Sequence, residues 1–300
     1  MKRLKKWFSL SKKELGSSPQ DLSWHSWRIV LLQTKHAISS KNIGMLSAGI
    51  AYFGILAFFP LMAAIVAIAG IALQPQQIQD AAVSASHYIP SDIHKLFVTQ
   101  LENASGKPAS NAIVALFGIG LSVLSVAGAV GNIMNALNVM YAVKETRSFI
   151  TQKLTSVVLT IGMIVMVIVL IPLLFAGGDF MKWLGLPHVF VDVFQYVRWL
   201  LLAGLMIMGL AVLYHFGPSR DPQSNWQWVS WGAIVATIVW MIGSALFFVY
   251  LQYFANFSNS YSLFAGLIAL MTWLNLSSFI ILLGAEINHR LERRNAQISS

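Results

Sequence analysis

The chain contains no cysteine. Disulfides, thiolate nucleophiles and cysteine-ligated zinc or iron–sulfur sites are thereby excluded. Charge is scarce as well. Only 10% of the 300 residues are charged, against 57% hydrophobic, where a soluble domain carries roughly 25% charged residues. A soluble surface cannot be built from so few charges, so lipid must cover much of this chain. Signatures of soluble catalysis are also missing: no HExxH, no GxSxG, no P-loop and no GxGxxG. The eleven Asp and Glu are scattered, none inside an apolar run. No short apolar core follows the basic start, as a signal peptide would require. The first strongly apolar run begins near Leu46 and is expected to remain as a membrane span.

What is present is apolar length. A helix needs about 20 residues to cross roughly 30 Å of hydrocarbon. Six stretches qualify: 46–73, 112–141, 154–176, 196–216, 229–254 and 263–285. The predicted fold is therefore all-α, a polytopic transmembrane helical bundle with six spans. The ten Trp suit a protein anchored at two interfaces.

Basic residues orient the bundle. Of the 20 Lys and Arg, 16 fall before the first span, in the second–third and fourth–fifth connections, and after the sixth span. Only Lys95, Lys107, Lys182 and Arg198 fall on the other side. This segregation predicts both termini in the cytoplasm. The net charge of +9 then reads as a topology signal, not as a nucleic-acid surface. The resulting division is a basic tail and interfacial helix over 1–41, a membrane domain over 42–288 and a cytoplasmic tail over 289–300. Expected partners are the bilayer and, through the basic N-terminal tail, anionic lipid headgroups.

Two short amphipathic helices are expected outside the spans. Trp24, Trp27, Leu31 and Ile38, with Arg28 and Lys35, suit a helix in the headgroup zone before the first span. In the outer loop 74–111, Ser91 follows Pro90 as a cap, and Ile93, Leu96, Phe97 and Leu101 share one helical face. Residues 103–110 read as a flexible return to the membrane.

Polar and helix-breaking residues within or beside the spans are the candidate site. Pro60 removes a hydrogen bond in the first span, giving either a packing kink or a carbonyl exposed to a ligand. Asn132, Asn135 and Asn138 recur every three residues behind Ala127, Gly128 and Gly131. They form either helix–helix glue or the polar lining of a cavity. Glu286 ends the sixth span and either pairs with Arg290 at i+4 or binds a cation or proton. His215 reads as an interfacial residue. No metal site is expected from His87, His94 and His188, since Pro90 breaks the register of the first two. No cofactor is implied.

Three segments carry a resemblance. AGIAYFGILAFFPL at 48–61, NALNVMYAVK with RSF at 135–149, and Tyr261 through Trp273 to LGAEIN at 283–288 resemble the YihY/BrkB family of bacterial inner-membrane proteins. The likeness spans roughly residues 30–292, with Tyr261-Ser262 where the family often has Tyr-Gly. It implies a multi-pass inner-membrane protein. Members have carried a ribonuclease label, which no residue pattern here supports.

The reading that joins these signals is transport or export of a small solute or lipid by a non-enzyme. Its path would be lined by Tyr52, Pro60, Asn132, Asn135, Asn138 and Glu286. A membrane scaffold for envelope assembly is the alternative, and a membrane ribonuclease a remote third.

Overall fold

The computed structural model describes residues 24–72, 108–175, 188–220, 230–254 and 262–299. They form seven α-helices: α1 (Trp24–Ser40), α2 (Ile43–Ala72), α3 (Pro108–Met140), α4 (Phe149–Phe175), α5 (His188–Phe216), α6 (Trp231–Phe254) and α7 (Ser262–Ser299). The six predicted spans correspond to α2 through α7, and the headgroup helix to α1. Among the described residues, five helices are long and apolar enough to cross a membrane, α3 to α7, and a sixth passes as the bent pair α1–α2. The architecture is a polytopic helical bundle of five to six spans. The amphipathic segment predicted at 91–101 lies outside the described residues.

Local chemistry sets the helix ends. Between α1 and α2 the axis turns by 66°. Asn42 makes the turn with φ 50°, a left-handed conformation that Asn tolerates better than most residues. Its N–H donates to Ser39 O, and its own carbonyl accepts from Met45 N and Leu46 N, so it closes one helix and opens the next. α3 ends in a Schellman motif. Val143 N donates to Asn138 O, and Ala142 N to Val139 O, with Ala142 at φ 52°. A residue with a Cβ costs about 1–2 kcal/mol there, so the loop that follows must be held by other bonds.

Several helix ends differ from the sequence expectation: α2 begins at Ile43 and α5 at His188, three and eight residues earlier than expected, and three further differences have a local cause. α3 begins at Pro108, inside the stretch expected to be a flexible return, because proline suits the first helical position. α4 begins at Phe149 instead of 154, since Ser148 caps it through Thr151 N. α7 runs on to Ser299, so the predicted C-terminal tail continues the last span as helix. Residues 289–299 contain Arg, Glu, Gln, Ala and Leu and no Gly or Pro, a composition that sustains helix.

α7 is the central element and packs against α1, α2, α3 and α6. The main core joins Ile43 and Ile50 of α2, Met134 and Leu137 of α3, Tyr214 of α5 and Leu282 of α7. A smaller cluster of Val30, Ile287 and Leu291 seats α1, with Trp27 edge-on to Trp231 at 5.6 Å. Two glycines bring α6 and α7 close. A Cβ added at Gly284 would lie 2.5 Å from Tyr214 Oη and 2.7 Å from Ala236 Cβ, and one at Gly232 would strike the Gly284 carbonyl. At Gly131 of α3, by contrast, an added Cβ meets nothing within 4 Å.

Gly284→Val should therefore lower stability by about 1–3 kcal/mol through overpacking, read as a lower unfolding midpoint in detergent. Gly131→Ala should match or slightly exceed the parent, because alanine is the better helix former. Equal midpoints for Gly284→Val and the parent would contradict the close approach.

Candidate functional site

The bends and helix ends described above gather at one end of the bundle. The start of α2, the end of α3, the start of α4, the end of α5, the start of α6 and the second half of α7 meet there.

Glu286 lies at the centre of this end and is fully buried. Lys41 Nζ, from the α1–α2 bend, donates to its Oε2 at 2.6 Å and also to Met140 O at 2.6 Å. Arg290 Nη2 stands 2.7 Å from Oε1, an ion pair without the alignment of a hydrogen bond. Arg290 Nη1 continues to Gln33 of α1 at 3.0 Å. One carboxylate thus ties the headgroup helix, the end of α3 and the last span together. Glu286 makes the i+4 contact with Arg290, and Lys41 stands at its other oxygen.

A second cluster holds the α3–α4 loop. Asn138, buried, donates from Nδ2 to Glu145 Oε2 at 2.8 Å and accepts from Ser219 N at 2.7 Å. Arg147 binds both Glu145 oxygens, at 2.8 and 3.0 Å. Its guanidinium also donates to the carbonyls of Phe216 and Gly217 at the end of α5, where a cation suits the helix dipole. The Arg147 hydrogen bond, with help from Asn138, holds the Glu145 carboxyl down at about 2. Thr146 closes the loop onto Ser219 at 2.8 Å.

Further contacts seal the same end. Asn288 accepts from Gly232 N at 2.8 Å, and Ser230 caps α6 through Ala233 N. Arg220 stacks over the Tyr141 ring at 3.6 Å and bonds Glu292 at 3.0 Å. Tyr214 Oη donates to Ile281 O at 2.8 Å.

The predicted Asn face divides between two surroundings. Asn138 belongs to the loop cluster. Asn132 and Asn135 line an open groove of about 150 Å³ between α3 and α4, with Gly128, Gly131, Gln152 and Lys153. Asn132 donates back to Gly128 O at 3.0 Å, and Asn135 Oδ1 accepts from Gln152 Nε2 at 2.8 Å. The two α2 candidates stand elsewhere. Tyr52 is exposed and edge-on to Phe53. Pro60 lies within α2, and its carbonyl accepts from Ser122 of α3. His215 sits edge-on to Phe216. Among the described residues, no three His, Asp or Glu side chains gather to hold a metal.

Lys41, Glu145, Arg147, Gln152 and Lys153 also belong to this end of the bundle and its groove, although in the sequence Lys41, Arg147 and Lys153 register only as topology charges. Only the Glu145–Arg147 spacing carried a local signal, two residues of opposite charge just past a helix end. The others are joined to their partners through the fold.

Comparison with known proteins agrees with this architecture. The family model described as virulence factor BrkB matches residues 34–300. A Bacillus subtilis (strain 168) protein bearing the name ribonuclease-like protein YfkH is 32% identical over 254 residues, covering 83% of this chain and 90% of that one. A UPF0761 membrane protein of Verminephrobacter eiseniae (strain EF01-2) is 24% identical over 275 residues, 89% of this chain and 63% of that one. Another, from Alteromonas mediterranea (strain DSM 17117 / CIP 110805 / LMG 28347 / Deep ecotype), is 26% identical over 209 residues, 67% of this chain and 66% of that one. No solved structure matches. The chain belongs to the YihY/BrkB (UPF0761) family of multi-pass bacterial inner-membrane proteins.

Proposed function

We propose that this protein moves a small solute or a lipid across or out of the inner membrane, and that both of its termini face the cytoplasm. The observation that carries the transport reading is the α3–α4 groove. It places the amides of Asn132, Asn135 and Gln152 on a face whose neighbours are exposed apolar side chains. Polar groups facing lipid are costly and are kept where they bind something. In this reading Asn132 and Asn135 contact the substrate. Asn138 and Glu286 hold the end of the bundle rigid, while Tyr52 and Pro60 belong to α2, the helix that packs along α3.

The scaffold reading keeps one specific support. Glu286 is neutralised by two cations, which suits a fixed joint better than a carrier of protons. The name of the Bacillus subtilis relative suggests RNA cleavage, but the described residues offer no metal cluster to perform it.

The orientation reading rests on Lys41, Lys144, Arg147, Lys153, Arg220, Arg290 and Arg293, all at or near the gathered end. Because the chain lacks cysteine, single introduced thiols report position cleanly. In intact cells an impermeant maleimide should label Ser258→Cys and spare Ser299→Cys. The reverse pattern would invert the topology.

Purified protein in liposomes should move a fluorescent phospholipid or a solute from a panel. Asn135→Leu should abolish that movement while leaving the unfolding midpoint near the parent's. A wild-type protein that moves nothing across the panel would sink the transport reading and leave the scaffold.

A further inference from the structure

The α3–α4 groove does not stand alone. A second groove of about 300 Å³ adjoins it on α4, lined by Phe149, Ile150, Lys153, Leu154 and Val157. The two share Phe149 and Lys153. One is floored by glycines and amides, while the other is apolar apart from that same lysine. Lys153 stands at the seam between them.

The surroundings decide what could fill such a pair. Phe149 and Ile150 are 80% and 77% exposed at the start of α4. Side chains this apolar and this exposed, on a membrane-spanning helix, face lipid. Among the described residues no carboxylate pairs with Lys153, and Glu145 is bound on both oxygens by Arg147. The first turn of α4 holds no acidic residue, so its positive dipole end is not offset there. The charge at the seam therefore calls for an anion. Asn135 receives a bond from Gln152 on its Oδ1, which leaves its own amide hydrogens to donate. Space is available as well: a Cβ added at Gly128 or Gly131 meets nothing within 4 Å.

We infer that the paired grooves bind one anionic phospholipid. Its phosphate would sit at Lys153 and the Asn135 and Gln152 amides, and an acyl chain would lie along Phe149, Leu154 and Val157. A lysine at this depth lays its stem on apolar surface and extends its ammonium to the headgroup plane. The inference rests on the groove reading given above and names the substrate class for it.

Native mass spectrometry of the full chain tests it, with phosphatidylglycerol and phosphatidylcholine titrated separately. Phosphatidylglycerol should be retained at one per chain, in preference to phosphatidylcholine by about fivefold or more, the effect of one lysine near an anionic surface. Lys153→Gln should erase that preference at an unchanged unfolding midpoint, and Gly131→Leu should lower retention by filling the groove. Should either variant fail to fold, the other carries the test. Equal retention of both lipids by the parent means annular lipid only and overturns the proposal. So does a preference that survives Lys153→Gln, or displacement of the lipid by inorganic phosphate at millimolar level. Retention without movement in liposomes would refute the transport reading and leave the lipid site standing. Movement of solutes without phosphatidylglycerol preference would do the opposite.

Discussion

A carboxylate with no exposed surface, held between an ammonium and a guanidinium, is the constraint around which this bundle is organised. Removing Glu286 from water carries a desolvation penalty of several kcal/mol. Only close cations repay it, and Lys41 at 2.6 Å and Arg290 at 2.7 Å supply them. Lys41 reaches Glu286 from the 66° bend that Asn42 makes right after it. The same ammonium also donates to Met140 O at the end of α3. The Gly232–Gly284 contact and the Tyr214–Ile281 bond lie within two turns of Glu286 on α7. They need α7 at a fixed height and rotation, which the ion pair defines.

This arrangement separates two kinds of polar group. At the gathered end, Glu286, Asn138, Glu145, Arg147 and Ser219 have partners within the protein. On the α3–α4 face, Asn132 and Asn135 each keep one bond, to Gly128 O and from Gln152, and together with Lys153 they line an open groove among exposed apolar side chains. Buried and paired groups specify structure, while polar groups left at a lipid face are the ones available to a ligand. The transport reading draws on that second group alone.

Much of the fold was legible in the sequence because membrane spans need about 20 apolar residues and little else. All six stretches became helices. Their ends were less legible, because caps act through single residues such as Ser148, and because residues 289–299 look like a tail by charge yet sustain helix. At the site, Arg290 was foreseeable for Glu286, being four residues away. Lys41 was not, since 245 residues separate it from Glu286 and only the fold joins them. The three asparagines do share a helix face by spacing. Their partners differ because the α3–α4 loop folds back over Asn138 and leaves Asn132 and Asn135 to the groove.

The ion pair is the claim on which the rest hangs, and a double-mutant cycle on Lys41→Met and Glu286→Gln measures it directly. Glu286→Gln should lose about 3 kcal/mol or more in unfolding free energy, as expected when one partner of a buried pair is removed, and Lys41→Met should lose less, because Arg290 still faces the carboxylate. The double variant should lose less than their sum by more than about 1 kcal/mol. Losses that add within about 0.5 kcal/mol would show that the two residues do not interact, and would contradict the account.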